Sequence, residues 1–179
     1  MAGEISFFPR GIEALTTIYF AHGKESGPAG RKIRQLSRIG EQKGFLIKSP
    51  DFRGILSPEA RCDFLLQQIG NPDSPVILVG SSMGAYVVTS VSEKIQPLGL
   101  FLMAPAFYLP GYENQNPTPC SKKVVLIHGW LDEVVPVSHA LRFAMRYKTE
   151  THLLAAGHSL EESLPFVEQI FSIFLDGLS

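Results

Sequence analysis

The stretch Val76–Gly84 reads VILVGSSMG and decides the fold. Its first four residues are apolar and mostly β-branched, which is typical of a strand buried on both faces of a parallel sheet. The strand leads straight into a G-x-S-x-G match, and a helical pattern follows from about Met83 to Lys94. So tight a turn forces its central residue, Ser82, into a strained backbone, and the two glycines remove Cβ atoms that would clash. We therefore expect Ser82 at the carboxyl edge of a sheet, where a helix N-terminus favours developing negative charge.

Working outward from this turn, strand and helix patterns alternate along the chain. Strands are predicted at residues 18–22, 45–49, 76–79, 98–103, 124–128 and 151–154, and helices from about Pro28, Pro58, Met83, Ser138 and Leu160. Such alternation predicts a mainly parallel sheet of about six strands with helices on both faces, in one domain over residues 1–179. Within the first seventeen residues, Ile5, Phe7 and Phe8 predict either a short edge strand or an arm packed on the domain.

One connection departs from the alternation. Ala104–Lys123 carries four prolines, which exclude a regular helix and predict a loop over the sheet edge where ligands bind. Its residues Phe107 and Tyr108, together with Leu109 and Tyr112, are candidates to line an acyl or alcohol pocket, although some of them could simply pack the loop.

The serine needs a base, because a hydroxyl is a weak nucleophile until its proton is taken. Ser81 could compete with Ser82, but only Ser82 stands two residues from each glycine, so we expect Ser81 to line the turn. Among five histidines, His158 follows the last predicted strand in the sequence AAGHS, in a loop that can reach over Ser82. The other four histidines are less suitable as the base. His139 lies inside a predicted helix and His152 inside a predicted strand. His22 and His128 each end a strand that precedes that loop.

A serine nucleophile and its base also need an acid and an oxyanion hole to form a complete catalytic site. The segment of residues 128–136, HGWLDEVVP, offers two carboxylates, and we prefer Asp132 over Glu133 on motif position. A carboxylate there would orient the imidazole, or it could simply cap the turn near Pro136. The candidate oxyanion donors are backbone N–H groups, that of Met83 and that of Gly23 or Lys24. His22 and Ser81 are further candidates for the substrate pocket.

Four segments carry a resemblance to a known family, namely residues 22–23, 80–84, 128–136 and 157–158. Together they resemble the α/β-hydrolase superfamily over nearly the whole chain, and most closely its compact YqiA-like small esterases. The resemblance implies a three-layer α/β/α sandwich, with Ser82 as nucleophile, His158 as base and Asp132 as acid. The superfamily's usual sheet has eight strands, so the first two are expected to be missing or reduced. No segment is long enough for a helical cap domain after the fourth strand, which makes a lipase role doubtful.

Composition and net charge limit the classes of partner that the sequence predicts. The chain is 45% apolar and 18% charged with a net charge of −1, which gives no electrostatic reason to expect nucleic acid or an anionic membrane. No stretch is predicted to span a bilayer or to act as a signal peptide. The two cysteines predict free thiols in a cytoplasmic protein, and no motif indicates a metal or another cofactor.

The sequence therefore predicts a serine hydrolase, carboxylesterase-like, that cleaves carboxylic esters or thioesters of small or exposed acyl substrates through an acyl-enzyme. An amidase or peptidase, or a thioesterase acting on acylated proteins, stays open on the same triad. A non-catalytic binding module on this fold is the alternative from another class. The substrate is a small-molecule ester or an acylated protein, and the oligomeric state is not predicted.

Overall fold

The computed structural model describes residues 15–178, and these form a six-stranded sheet with helices on both faces. The strands are β1 (Thr17–Ala21), β2 (Leu46–Lys48), β3 (Val76–Ser81), β4 (Gly99–Met103), β5 (Lys123–Gly129) and β6 (Glu150–Leu154). The helices are α1 (Arg31–Gln42), α2 (Pro58–Ile69), α3 (Met83–Ile95), α4 (Val137–Tyr147) and α5 (Leu164–Asp176). The proposed edge strand or arm at Ile5, Phe7 and Phe8 lies outside the described residues.

All five strand pairings are parallel, in the order β2-β1-β3-β4-β5-β6. The strand order reverses between β1 and β3, and ligands of open parallel sheets bind at the carboxyl ends of strands at such a point. His22 and Gly23 follow β1, and Ser82 follows β3, so both candidate segments emerge there.

Two apolar cores hold the layers together. On one face of the sheet, α1 and α5 cover β-strand residues such as Phe20, Val79 and Phe101. On the other face, α2, α3 and α4 cover residues such as Leu78 and Leu102. The predicted three-layer fold class is confirmed, with every strand pattern of the described region forming a strand.

Helix boundaries follow local chemistry. The Ser57 hydroxyl caps α2 by accepting from the Ala60 N–H at 3.1 Å, and Pro58 occupies the first turn, as the sequence predicts. The first helix begins later than predicted, at Arg31 instead of Pro28, because Gly30 is its N-cap and the residues before it form a loop. The last helix is preceded by a 3₁₀ turn at Glu161–Ser163.

The proline-rich connection between β4 and β5 contains no helix or strand, as predicted. Its start is tied to the sheet edge, since the Ala104 N–H donates to the Ile127 carbonyl and the Ala106 N–H donates to the Ser82 carbonyl. This short loop stands where a cap domain would be inserted. Within residues 15–178, no helix combines the length and the apolar character needed to cross a membrane.

Candidate active site

Ser82 occupies the turn between β3 and α3 with φ 54° and ψ −121°, a backbone conformation that costs free energy for a non-glycine residue. The glycines on either side allow this turn to close. A Cβ on Gly80 would lie 2.5 Å from the Ala85 Cα, and a Cβ on Gly84 would overlap the Ala21 carbonyl. The strained elbow that the sequence predicts is therefore present, with Ser82 as the N-cap of α3.

The Ser82 side chain contacts His158, and His158 contacts Asp132. The Ser82 Oγ lies 2.9 Å from His158 Nε2, and His158 Nδ1 lies 2.7 Å from Asp132 Oδ2. A carboxylate can only accept, so Nδ1 carries the imidazole proton and Nε2 accepts from the serine hydroxyl. The three residues predicted from chain order thus form one hydrogen-bonded relay, while the alternative acid, Glu133, lies exposed to solvent.

Hydrogen bonds to both carboxylate oxygens fix the side chain of Asp132. While Oδ2 faces the histidine, Oδ1 accepts the backbone N–H groups of Val134 at 2.9 Å and Val135 at 2.8 Å. The carboxylate is fully buried. It therefore caps its own turn and orients the imidazole, combining the two interpretations that the sequence left as alternatives.

Backbone hydrogen bonds hold the acid loop against the base loop. The Trp130 N–H donates to the Leu154 carbonyl at 2.8 Å, and the Leu131 N–H donates to the Ala156 carbonyl at 3.0 Å. Because each loop fixes the other, the separation of Asp132 and His158 does not depend on side-chain contacts alone.

A second histidine lies behind the acid. His128 is fully buried, and its Nε2 lies 2.9 Å from the Val135 carbonyl and 3.2 Å from Asp132 Oδ2. Burial lowers the pKa of His128, which favours the neutral form of its side chain. His139 and His152 lie elsewhere, bonded to the Phe107 carbonyl and to Glu150 respectively, as their predicted positions in a helix and a strand suggest.

The loop after β1 is held from behind by Arg61 and His22. The buried Arg61 guanidinium donates through Nη1 to the His22 carbonyl at 3.1 Å and to the Gly23 carbonyl at 3.2 Å. His22 Nε2 accepts the Phe52 N–H at 2.9 Å, so its Nδ1 carries the proton and donates to the Gly23 carbonyl at 2.7 Å.

These carbonyl contacts orient the candidate oxyanion donors. In a trans peptide the C=O and the following N–H point in opposite directions. Hydrogen bonds to the His22 and Gly23 carbonyls therefore direct the N–H groups of Gly23 and Lys24 away from Arg61. Gly23 lies against the elbow, since a Cβ built on it would stand 3.3 Å from the Ser82 Cβ.

The third candidate donor is the N–H of Met83. Met83 is the first residue of α3, and the first N–H groups of a helix have no carbonyl one turn earlier to bond. Two neighbouring segments thus supply backbone N–H groups beside Ser82, one from the loop after β1 and one from α3.

A cavity of about 650 Å³ opens beside these residues. His22, Ser81, Leu109 and Tyr112 line it, as the sequence suggested. Its wall also contains residues on which the sequence analysis placed no role, among them Lys32, Val134 and Ala106.

Two of the predicted pocket residues are not part of this wall. Phe107 is fully buried in the core against α4, with its ring stacked 4.4 Å from that of Phe143. Tyr108 packs on the same helix, with the Arg142 guanidinium 3.9 Å from its ring centre. The prediction that they line the pocket is wrong, because both rings are used to anchor the loop to α4.

Sequence reasoning missed Lys32 and Arg61. Lys32 Nζ lies 3.0 Å from Ser81 Oγ, a contact between residues 49 positions apart. Arg61 contacts the loop after β1 from 38 and 39 positions away. No motif surrounds either residue, and only the packing of α1 and α2 on opposite faces brings them to the site.

Neither a protein-family model nor a curated protein matches the sequence. Solved structures do match. One is a protein of the alpha/beta hydrolase superfamily from Xanthomonas campestris pv. campestris, with 27% identity, a TM-score of 0.77, and coverage of 90% of this chain and 98% of that one.

Two further matches share the fold at lower identity. Est1E from Butyrivibrio proteoclasticus is 15% identical with a TM-score of 0.77, and covers 94% of this chain and 90% of its own. The esterase Pf2001 from Pyrococcus furiosus is 20% identical with a TM-score of 0.69, and covers 90% and 82%. These two similarities show the fold, and the match at 27% identity supports a hydrolase as the general class of the protein.

Proposed function

We propose that this compact member of the α/β-hydrolase superfamily is a serine hydrolase that cleaves carboxylic esters or thioesters of small or exposed acyl substrates. The observation that carries the proposal is the continuous relay from Ser82 to His158 to Asp132, with heavy-atom distances of 2.9 Å and 2.7 Å. Hydrogen bonds of this length are within the range required for proton transfer by a general base.

In the first half-reaction, Ser82 Oγ attacks the carbonyl carbon while His158 Nε2 takes the hydroxyl proton. The carbonyl π electrons move to oxygen, and the resulting oxyanion accepts hydrogen bonds from the N–H of Met83 and that of Gly23 or Lys24. The oxyanion then re-forms the carbonyl, and the bond to the leaving group breaks. His158 gives its proton to the leaving alcohol or thiol, which leaves an acyl-enzyme on Ser82.

In the second half-reaction, His158 takes a proton from water as the water oxygen attacks the acyl carbon. The same N–H groups again donate hydrogen bonds to the oxyanion, and the proton passes from His158 to Ser82 Oγ when the acid departs. Asp132 stabilises the imidazolium that forms in both steps, and its buried carboxylate keeps the imidazole in one orientation throughout.

The cavity and loop favour small substrates. A volume of about 650 Å³ is in the usual range for small-molecule sites. The connection between β4 and β5 adds no enclosing domain above Ser82, so a long acyl chain would find little surface. The cytoplasmic location and the extent of the domain over residues 1–179 remain predictions.

The test is hydrolysis of short-chain p-nitrophenyl esters by wild type, Ser82→Ala and the matched control Ser138→Ala, which removes a hydroxyl from the exposed start of α4. We expect Ser82→Ala to lose turnover with an unchanged circular dichroism spectrum, and Ser138→Ala to keep it. Full activity of Ser82→Ala would refute the proposal. A graded panel of esters and thioesters then defines the acyl length.

A further inference from the structure

Lys32 shares the cavity with the reacting groups. It lies in the first turn of α1, and its side chain lines the same space as Ser82 and His158. Its Nζ donates to Ser81 Oγ at 3.0 Å, next to the nucleophile in the chain. A half-buried ammonium group therefore stands within the substrate cavity, at its Ser81 side.

Within the part of the chain that the structure describes, this charge has no ion-pair partner. Over residues 15–178, the cavity carboxylate of Glu161 lies 3.7 Å from Arg31, and no acidic side chain comes within ion-pair distance of Lys32. Asp132 directs its oxygens to His158 and to two backbone N–H groups. Burial lowers the pKa of Lys32 to about 8, although Glu161 and Asp132 act on it from a distance in the opposite direction.

Two donors remain for a ligand. An ammonium has three N–H bonds, and within the described residues Lys32 uses one of them on a neutral hydroxyl. The Ser81 oxygen accepts that bond, which leaves its own O–H free to donate. An ammonium N–H and a neighbouring O–H can each bond one oxygen of a carboxylate.

The distance to the reacting centre limits the ligand. Ser81 and Ser82 are adjacent, with Cα atoms about 3.8 Å apart, so Lys32 Nζ lies at most about 12 Å from Ser82 Oγ. A carboxylate on Lys32 and an ester on Ser82 can therefore belong to one small molecule, joined by a few carbon atoms.

On the premise of the proposed function, we propose that the substrate is a short ester that itself carries a carboxylate, and that Lys32 and Ser81 bind this carboxylate. The bound anion supplies the direct ion-pair partner that residues 15–178 do not place on Lys32. Lys32 then selects among esters, while the bond-breaking steps stay with Ser82 and His158.

The experiment compares isosteric esters. Monoethyl glutarate carries the anion on its acyl part, and the ethyl ester of glutaric acid monoamide replaces it with a neutral amide of the same shape. Carboxymethyl butyrate and its amide place the same difference on the alcohol part. Hydrolysis is followed by pH-stat at pH 7 for wild type, Lys32→Met and the control Lys94→Met, which removes an exposed lysine from α3.

We expect wild type and Lys94→Met to prefer the anionic member of at least one pair by about tenfold or more in kcat/KM, the size of a hydrogen bond to a charged group. Lys32→Met should lose that preference, so that its ratio of kcat/KM for the anionic and the neutral ester falls to about one. The pair that responds shows whether the anion belongs to the acyl or the alcohol part. Equal ratios in wild type and Lys32→Met for both pairs would overturn the inference, while hydrolysis of the neutral ester would leave the proposed function standing.

A binding measurement distinguishes a failure of the carboxylate inference from a failure of the proposed hydrolase function. Calorimetric titration of Ser82→Ala, with and without Lys32→Met, with monoethyl glutarate reports the carboxylate contact without turnover. We expect at least tenfold weaker binding when Lys32 is replaced. Unchanged affinity would overturn the inference even if no ester were hydrolysed.

Discussion

Replacing Arg61 with methionine tests how far the loop after β1 depends on one buried cation. Arg61 is 1% exposed, and its Nε also donates to the Ile55 carbonyl at 2.7 Å. Methionine keeps the unbranched apolar stem, ends about two atoms short of the guanidinium nitrogens and removes every donor. The carbonyls of Ile55 and His22 then lose the partner that Arg61 gives them, while the Gly23 carbonyl keeps the His22 side chain.

The effect on stability is a difference of two terms. Leaving the buried His22 carbonyl without a partner costs about 1–3 kcal/mol, and the Ile55 carbonyl adds less because it is only half-buried. Removing a buried charge that no carboxylate pairs within the described residues relieves part of this, because desolvating an ion costs several kcal/mol. We expect the free energy of unfolding to fall by about 1–3 kcal/mol, measured by urea denaturation.

The effect on catalysis follows from the peptide planes. Without Arg61 the N–H of Gly23 loses its fixed direction, while the N–H of Lys24 stays oriented because the His22 side chain still bonds the Gly23 carbonyl. A complete loss of one oxyanion donor costs about 10²–10³ in kcat, so misdirection is expected to cost about tenfold to a hundredfold. KM should change little, since Arg61 does not line the cavity.

The assay measures kcat and KM on a short-chain ester well below the unfolding transition, with Arg38→Met as control for the loss of an exposed arginine from α1. A folded Arg61→Met protein with wild-type kcat would refute the positioning role. So would a rise in KM alone, because it would point to substrate binding instead of oxyanion geometry.

Three other perturbations give further tests. In Asp132→Asn the oxygen should keep the two backbone N–H groups and the amide should donate to His158, which imposes the wrong tautomer and lowers kcat by about 10³–10⁴-fold in an ester assay; a decrease below tenfold would contradict this. Burial lowers the pKa of both His22 and His128, so the unfolded chain binds protons below about pH 6.5 that the native protein does not. Stability is therefore present above that pH and lost as the pH falls, and equal urea midpoints at pH 7.5 and pH 5 would argue against it. Burial raises the pKa of Cys62 to about 12, so iodoacetamide at pH 8 should label it only after unfolding, as mass spectrometry can follow, and rapid labelling of the native protein would contradict its burial.

The fold could be predicted because local signals agreed with one another. Val76–Val79 is apolar throughout and is bounded by Pro75 and Gly80, which left a buried strand as the simplest interpretation. The face that each helix covers was not predictable in the same way. It depends on crossover geometry, which sequence periodicity does not record.

The candidate site was predictable where position along the chain carries the information. Ser82 has its own motif, and His158 and Asp132 follow the last two strands of a parallel sheet, whose carboxyl ends share one edge. Lys32 and Arg61 have no such marker, because their contacts arise from packing between distant elements. Phe107 was misassigned since an aromatic residue in a loop suits a pocket and a core equally until the facing helix is known.

The most direct test of the proposed nucleophile is tandem mass spectrometry of the native protein after reaction with a fluorophosphonate probe. The peptide that contains residues 80–84 also contains Ser81, so fragment ions must locate the adduct. The relay of Ser82, His158 and Asp132 predicts one phosphonyl group on Ser82, and none in Ser82→Ala. No adduct, or an adduct on Ser81, would contradict it.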